Sequence, residues 1–177
     1  MTADKQPPLF PFGEYSSPGE YDEQQRSVYL QTLVDAPAKL RKSVAGLDDQ
    51  QLDTKYKNWT VRQIVHHLAD SHMNALIRIK WALTEDSPLI KCYNETAWSE
   101  VVDARTLPIE PSLTLLDGLH VRLAKLLELL DEDQLKKTYF HPEIACDVLL
   151  HEVLPQYVWH GEHHTAQIDW MREKHSF

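Results

Sequence analysis

Apolar residues recur at helical spacing in four long segments of the chain. In the second segment they lie three or four positions apart, as on one face of a helix, and they are Val61, Ile64, Val65, Leu68, Leu76, Ile79 and Leu83. This segment begins with Thr60 and Gln63, which have the spacing of a capping box, in which each side chain satisfies the other's backbone N–H group. We therefore predict a helix over 60–84.

The other three segments predict helices of similar length. The first covers about 20–46, and Pro37 is expected to kink or split it. The third covers 111–130 and starts with a proline, a residue that suits the first turn of a helix. The fourth covers about 147–174, and a short helix is expected over 96–102.

Four amphipathic helices without a strand pattern predict an all-α fold, because each apolar stripe must be buried against the others. We expect a four-helix bundle with at least one long crossover connection. Residues 1–18 contain too many prolines for regular structure and predict an extended arm lying on the body. A chain of 177 residues suits one domain over 1–177, with the bundle in 19–177.

Charge and composition narrow the class of partner. The formal net charge of −9 argues against nucleic acid, whose phosphates require clustered Lys and Arg. No segment has the pattern of a signal peptide or the length of a membrane span, so we expect a cytoplasmic protein that does not bind membranes. Cys92 and Cys146 lack metal-binding spacing and predict ordinary reduced thiols. A small-molecule substrate fits these properties best.

The fourth helix carries a histidine pair in its inward stripe. His160 and His164 lie one turn apart, in the same stripe as Tyr157 and Ile168, so both imidazoles can reach one ion. Neutral imidazole is the commonest metal ligand in proteins. Burial against a carbonyl or hydroxyl group also explains such a pair, so the pair alone does not define a site. His163 points about 100° away and is interpreted as a flanking residue.

The second helix offers three candidates for a third ligand. His72 falls within the apolar stripe, His67 lies at its edge, and His66 points elsewhere. Periodicity slightly favours His72 as a buried residue, whereas an edge position suits a catalytic metal, which keeps one coordination position open. The residues in line with His67 would form either a polar pocket wall or a solvated helix face, and they are Ser71, Asn74 and Arg78.

Two strings of residues resemble the DinB/YfiT family of bacterial metal-binding four-helix bundles. The more specific string is W-T-V-R-Q-I-V-H-H-L-A-D-S-H at 59–72, and the other is Y-V-W-H-G-E-H-H at 157–164. The resemblance extends over most of the chain and is strongest to the YfiT branch. In that family the histidine before the Leu-Ala-Asp step binds metal. The resemblance therefore implies His67 as the third ligand, together with His160 and His164.

The resemblance also implies a cofactor and an activity. It implies one Zn²⁺ or Ni²⁺ ion per chain, held by three histidines in a cytoplasmic homodimer. Members of this branch are described as metal-dependent hydrolases, which implies a water molecule activated by the ion. Relatives that use low-molecular-weight thiols imply an alternative, a bacillithiol S-transferase in which the ion binds the thiolate. A third possibility is a non-catalytic bundle, in which the ion only ties two helices together.

Three further residues are candidates for catalytic roles. Asp70, one turn after His67, could orient the second nitrogen of a ligand imidazole or act as a base, and Glu162 is a similar candidate. Arg78 could hold an anionic substrate. Each also has an ordinary explanation as a solvated carboxylate or a surface ion pair. The identity of the catalytic residues beyond the metal ligands is therefore left open.

Overall fold

The computed structural model describes residues 6–177, so the first five residues of the predicted arm lie outside the described part. In chain order the elements are α1 (Glu23–Val44), α2 (Asp49–Leu52), β1 (Lys55–Tyr56), β2 (Trp59–Thr60), α3 (Val61–Thr84), α4 (Glu95–Ser99), α5 (Val102–Thr106), α6 (Glu110–Glu128), α7 (Glu132–Leu135), β3 (Thr138–His141), β4 (Cys146–Leu149) and α8 (Leu150–His175). The long helices α1, α3, α6 and α8 form the predicted four-helix bundle.

Helices that follow one another in sequence are not all neighbours in the bundle. Helix α1 packs against α6 and α8, and α3 packs against the same two helices. Two of the three connections, from α1 to α3 and from α6 to α8, therefore cross a diagonal of the bundle. This confirms the predicted crossover and makes α3 and α8 neighbours, which brings their histidines face to face.

The core consists of two apolar clusters stacked along the bundle. The Leu40 cluster includes Leu40, Val61, Ile64, Val65, Leu68, Leu113, Leu116, Ile168 and Met171. The Leu33 cluster includes Leu33, Ala75, Ile79, Leu123, Leu127, Val153, Leu154 and Tyr157. Buried or half-buried histidines lie at the junction of the two clusters, and we call them the histidine layer: His67, His72, His120, His160 and His164. Polar chemistry is therefore concentrated at one level of an otherwise apolar core.

Several predicted boundaries were wrong. Helix α8 begins at Leu150 rather than 147, because Cys146–Leu149 pairs with Thr138–His141 as an antiparallel hairpin. A second, shorter pair joins β1 to β2. The segment expected as one short helix over 96–102 forms two, α4 and α5. Helix α1 runs from Glu23 to Val44 with Pro37 buried inside it, so this proline does not split the helix.

The described part of the N-terminal arm lies along α8. The indole N–H of Trp159 donates to the carbonyl of Gly13 at 3.0 Å. The ring of Tyr15 packs on the same indole, with 5.5 Å between centroids. The hydroxyl of Tyr56 donates to the carbonyl of Pro8. Polar and aromatic contacts therefore hold the arm in place. Helix α1 begins after the arm, at Glu23. Within residues 6–177 no helix is long and apolar enough to cross a membrane.

The start of α3 confirms the predicted capping box. The backbone N–H of Gln63 donates to the hydroxyl of Thr60 at 3.1 Å, and the side-chain oxygen of Gln63 accepts from the N–H of Thr60 at 2.8 Å. The Gln63 amide also donates to the carbonyl of Ser99 at 2.8 Å. This cap fixes the first turn of the helix that carries His67.

We expect Thr60→Ala to lower the free energy of unfolding by about 1 kcal/mol, because a backbone N–H of the first turn loses its acceptor. Urea denaturation followed by circular dichroism measures this. Ser27→Ala is the control: Ser27 is exposed in the interior of α1, so this change should stay within about 0.5 kcal/mol of wild type. Equal stabilities of the two variants would contradict the role of the cap.

Candidate metal site

Three histidines from two neighbouring helices bring their ring nitrogens to one point. One donor atom each from His67, His160 and His164 lies within 4.8 Å of the other two. Nε2 of His67 is 3.2 Å from Nε2 of His160. His160 and His164 share one face of α8 because they are one turn apart. The structure thus brings together the three residues that the family resemblance implied.

Burial keeps these imidazoles neutral. It lowers the pKa of His67 to about 4, and it holds the pKa values of His160 and His164 well below their ordinary value. The other histidines nearby lower the pKa of His160 and His164 further, since like charges repel. Near neutral pH each ring therefore retains a nitrogen lone pair, which is the form that binds metal ions.

A hydrogen bond fixes the tautomer of His164. Its Nδ1 lies 2.8 Å from the side-chain oxygen of Gln167, and an amide oxygen can only accept, so Nδ1 carries the proton. The lone pair of His164 is therefore on Nε2. The Gln167 amide nitrogen donates in turn to Nε2 of His163 at 2.9 Å. His163 is buried, and its Nε2 accepts this hydrogen bond instead of joining the three histidines. This agrees with its interpretation as a flanking residue.

His72 contacts the site through a ligand candidate. Its Nε2 lies 3.2 Å from Nδ1 of His160. If Nδ1 of His160 donates to His72, the lone pair of His160 Nε2 points at His67. The His72 ring also stacks on His120, with 4.7 Å between centroids and 9° between planes, and Nδ1 of His120 donates to the carbonyl of Leu33 at 2.6 Å. A row of contacts thus links His160 to the backbone of α1.

Both candidate ligands on α3 are buried, although the sequence places only His72 within the apolar stripe and His67 at its edge. His67 is 5% exposed and His72 is 0% exposed. What distinguishes them is direction, since only His67 joins the three-histidine cluster. His66 points elsewhere, as predicted, with Nδ1 2.7 Å from the hydroxyl of Ser112.

Trp59 covers one side of the cluster, a contact that periodicity did not indicate. Its ring centroid is 4.5 Å from that of His67 and 6.1 Å from that of His164, to which it is stacked. The pairing of β2 with β1 holds Trp59 opposite Tyr56 and places it there. Trp59 is the first residue of the 59–72 string, which was the available sequence signal.

A cavity of about 160 Å³ opens beside His160. Its lining residues are Tyr15, Ser71, Arg78, Tyr93, Glu95, His141, Gln156, Tyr157, Trp159 and His160. Ser71 and Arg78 are thus pocket walls. Asn74 is not among these residues, and its amide donates to the carbonyl of Asp70 at 2.8 Å. The cavity combines an arginine, a carboxylate and several aromatic rings next to the histidine cluster.

The carboxylates proposed from the sequence lie outside this cavity. Glu162 forms an ion pair with Lys39 of α1, with 2.7 Å between Oε1 and Nζ. Asp70 is half-buried. Its pKa is raised to about 6, mainly by burial and to a smaller extent by repulsion from Asp103. Neither carboxylate lines the cavity beside His160, so of the three candidates only Arg78 directly faces it.

The fold and the three-histidine cluster define a known class of protein. The family model described as the DinB superfamily matches residues 32–168, and the chain belongs to this family. A Geobacillus thermodenitrificans relative is 46% identical over 95% of this chain and 96% of its own length, and it is provisionally named a metal-dependent hydrolase. YfiT of Bacillus subtilis, with the same provisional name, is 45% identical over 90% of both chains.

A solved structure of Bacillus subtilis YfiT superposes on this chain with a TM-score of 0.91 and 42% identity, covering 95% of this chain and 97% of the other. That protein is described as a probable metal-dependent hydrolase with an unusual four-helix bundle topology. The diagonal connections of the present bundle therefore have a counterpart in a solved relative.

The metal-free protein should lose stability as pH falls from 7 to 5. The pKa of His67 is about 4 in the folded chain against an ordinary 6.5, so the unfolded chain binds more protons in this window. Stability is therefore full above pH 6.5 and declines as pH falls toward 4, with a loss from His67 alone of about 2 kcal/mol between pH 7 and pH 5. Denaturant unfolding at both pH values measures it.

Two variants isolate the contribution of His67 to this pH dependence. His67→Gln should reduce the loss between pH 7 and pH 5, because the titrating group is gone. His175→Gln should leave it unchanged, because His175 is exposed in the last turn of α8. Identical pH dependence in His67→Gln and wild type would show that His67 is not the buried neutral group described.

Proposed function

We propose that this chain is a metal-dependent hydrolase of a small-molecule substrate, with one Zn²⁺ or Ni²⁺ ion held by His67, His160 and His164. The observation that carries the proposal is the convergence of three neutral imidazole donors within 4.8 Å. The provisional names of the relatives point to the same class of activity. Cytoplasmic location and a homodimer stay predictions from the family resemblance.

The donor set fits ions of borderline softness. Three imidazole nitrogens favour Zn²⁺ or Ni²⁺ over Mg²⁺ and Ca²⁺, which prefer oxygen ligands. Structural zinc sites use four protein ligands, whereas catalytic sites use three and leave a position for water or substrate. Two other histidines lie nearby, but neither joins the three-histidine group: His72 contacts His160, and His163 accepts from Gln167. This supports an enzyme over a bundle in which the ion is only structural.

The side chains around the three-histidine cluster fall into two groups: those that orient the histidines and those that could contact a substrate. An ion bound here would supply Lewis acidity, which lowers the pKa of water and polarises a scissile carbonyl or phosphoryl group. The side-chain oxygen of Gln167 accepts the Nδ1 proton of His164, and Nε2 of His72 lies 3.2 Å from Nδ1 of His160, so these contacts orient two of the candidate ligand rings. Arg78, whose guanidinium lies 6.0 Å from the Tyr93 ring centroid, offers a fork for a carboxylate or phosphate of the substrate.

Removing a ligand should remove the metal. We expect His67→Ala, His160→Ala and His164→Ala each to lose most of the bound Zn²⁺ after purification and dialysis, while His175→Ala retains it. Elemental analysis against protein concentration measures the content. Full retention in His67→Ala, together with loss in His72→Ala, would show that the α3 ligand is His72.

The same proteins test the reaction class. Zn²⁺-loaded wild type should hydrolyse members of a panel of small anionic esters and amides, and His160→Ala should not. The alternative, a thiol S-transferase, predicts instead that an electrophile is consumed only when a low-molecular-weight thiol such as bacillithiol is added. Thiol-dependent product without any hydrolysis would therefore overturn the hydrolase proposal in favour of the transferase.

The support of His164 by Gln167 can be tested separately. Gln167→Leu removes the acceptor of the Nδ1 proton, and we expect Zn²⁺ affinity to fall by about 10- to 100-fold. Gln167→Glu keeps an acceptor at this position and should retain the affinity. Competition with a chromophoric chelator measures both. Wild-type affinity in Gln167→Leu would show that the hydrogen bond does not orient the ligand.

A further inference from the structure

A second group of metal-binding side chains lies beside the same cavity. One donor atom each from Cys92, His141 and Glu143 lies within 4.8 Å of the other two. The sulfur of Cys92 is 3.6 Å from Nδ1 of His141 and 3.9 Å from its Nε2. Cys92 and His141 are half-buried and Glu143 is exposed, so the group lies nearer to solvent than the three-histidine cluster.

Backbone pairing builds this arrangement. The segment after α3 runs parallel to β3, with a bridge between Leu89 and Phe140. The N–H of Ile90 donates to the carbonyl of Phe140 at 3.1 Å, and the N–H of Phe140 donates to the carbonyl of Pro88 at 2.9 Å. Because the two segments run in the same direction, Cys92 and His141 follow the bridge on the same side. Their proximity is therefore held by main-chain hydrogen bonds.

The hairpin supplies the third donor. Strands β3 and β4 pair from Thr138 with Leu149 to His141 with Cys146, and Glu143 lies in the turn that joins them. His141 ends one strand and Glu143 follows two residues later, so a single rigid unit carries both. The sequence had indicated Cys92 only as an ordinary thiol, because its partners are about fifty residues away along the chain and no spacing motif connects them.

The donors are chemically suited to a thiophilic cation. A thiolate, an imidazole and a carboxylate together match Zn²⁺ and disfavour Mg²⁺ and Ca²⁺, which bind oxygen. Burial lowers the pKa of His141, and the positive charge of Arg78 lowers it further. The ring is therefore neutral with a lone pair available. Glu143 adds a negative charge near Glu95, and the pKa of Glu95 is raised by loss of water around its carboxyl group and by that charge. A cation would offset this repulsion.

We propose that Cys92, His141 and Glu143 bind a second divalent ion of the zinc class in the wall of the pocket. His141 and Glu95 line the cavity that His160 also lines, so the two groups of donors face one space. Three protein donors leave a position for an anionic group of the substrate. The inference is independent of the hydrolase proposal, since the two groups of donors share no residue.

Cobalt substitution tests the proposal, because only this group contains sulfur. Full-length protein is stripped of metal with a chelator and titrated with Co²⁺ under reducing conditions. We expect a thiolate-to-cobalt charge-transfer band in the near ultraviolet for wild type, for His160→Ala and for Cys146→Ser. The band should be absent in Cys92→Ser. Cys146 is the matched control, since it lies in the same hairpin and is exposed.

Zn²⁺ stoichiometry separates the two proposals. Wild type should bind one more equivalent of Zn²⁺ than Cys92→Ser, and one more than His160→Ala. Absence of the band in wild type, or its persistence in Cys92→Ser, would overturn the second site. Equal Zn²⁺ content in wild type and Cys92→Ser, with loss in His160→Ala, would do the same while leaving the three-histidine site intact. Equal content in wild type and His160→Ala, with the band retained, would reject the three-histidine site alone.

Discussion

The burial of the histidine layer is the constraint on which the rest of the structure depends. An imidazole removed from water is stable only when it is neutral and its N–H group has an acceptor. Part of the layer meets this requirement: Nδ1–H of His120 donates to the carbonyl of Leu33, and the His120 ring stacks on His72, whose Nε2 lies beside Nδ1 of His160. Among the described residues, Nδ1 of His72 and Nε2 of His120 are buried without a hydrogen-bond partner. The side-chain oxygen of Gln167 accepts the Nδ1 proton of His164. One nitrogen each from His67, His160 and His164 comes close to the other two, so the contacts that hold these rings in the core also direct them toward one another.

This layer also explains why the bundle needs its diagonal connections. The Leu33 and Leu40 clusters draw on all four long helices, but the candidate site requires α3 and α8 to be neighbours along their length. In this bundle the connection from α6 to α8 crosses the diagonal, and it contains α7 and the β3–β4 hairpin. The connection from α3 to α6 pairs with that hairpin through Leu89 and Phe140. The α3–α6 and α6–α8 connections thus supply part of the pocket wall, through Tyr93, Glu95 and His141.

The sequence was sufficient for the long helices and insufficient for the choice among histidines. The stripe of α3 and the Thr60 capping box are local patterns, and both were confirmed. The hairpin was missed because its strands have four residues each and the second runs directly into α8. Periodicity could not separate His67 from His72, since both are buried and their roles depend on which nitrogen of His160 each one meets. That distinction is set by rotamers and tautomers across two helices, which no spacing within one helix contains.

The N-terminal arm contributes to the pocket without contributing to the core. Tyr15 lines the cavity and packs on Trp159, whose indole is tied to Gly13, yet among the described residues no part of the arm belongs to either apolar cluster. The part of the pocket wall that the arm supplies is therefore separate from the apolar core. Changes in the arm can alter the size and polarity of the cavity while α3 and α8 keep their packing, so the cavity can vary among related chains without a change in the three-histidine cluster.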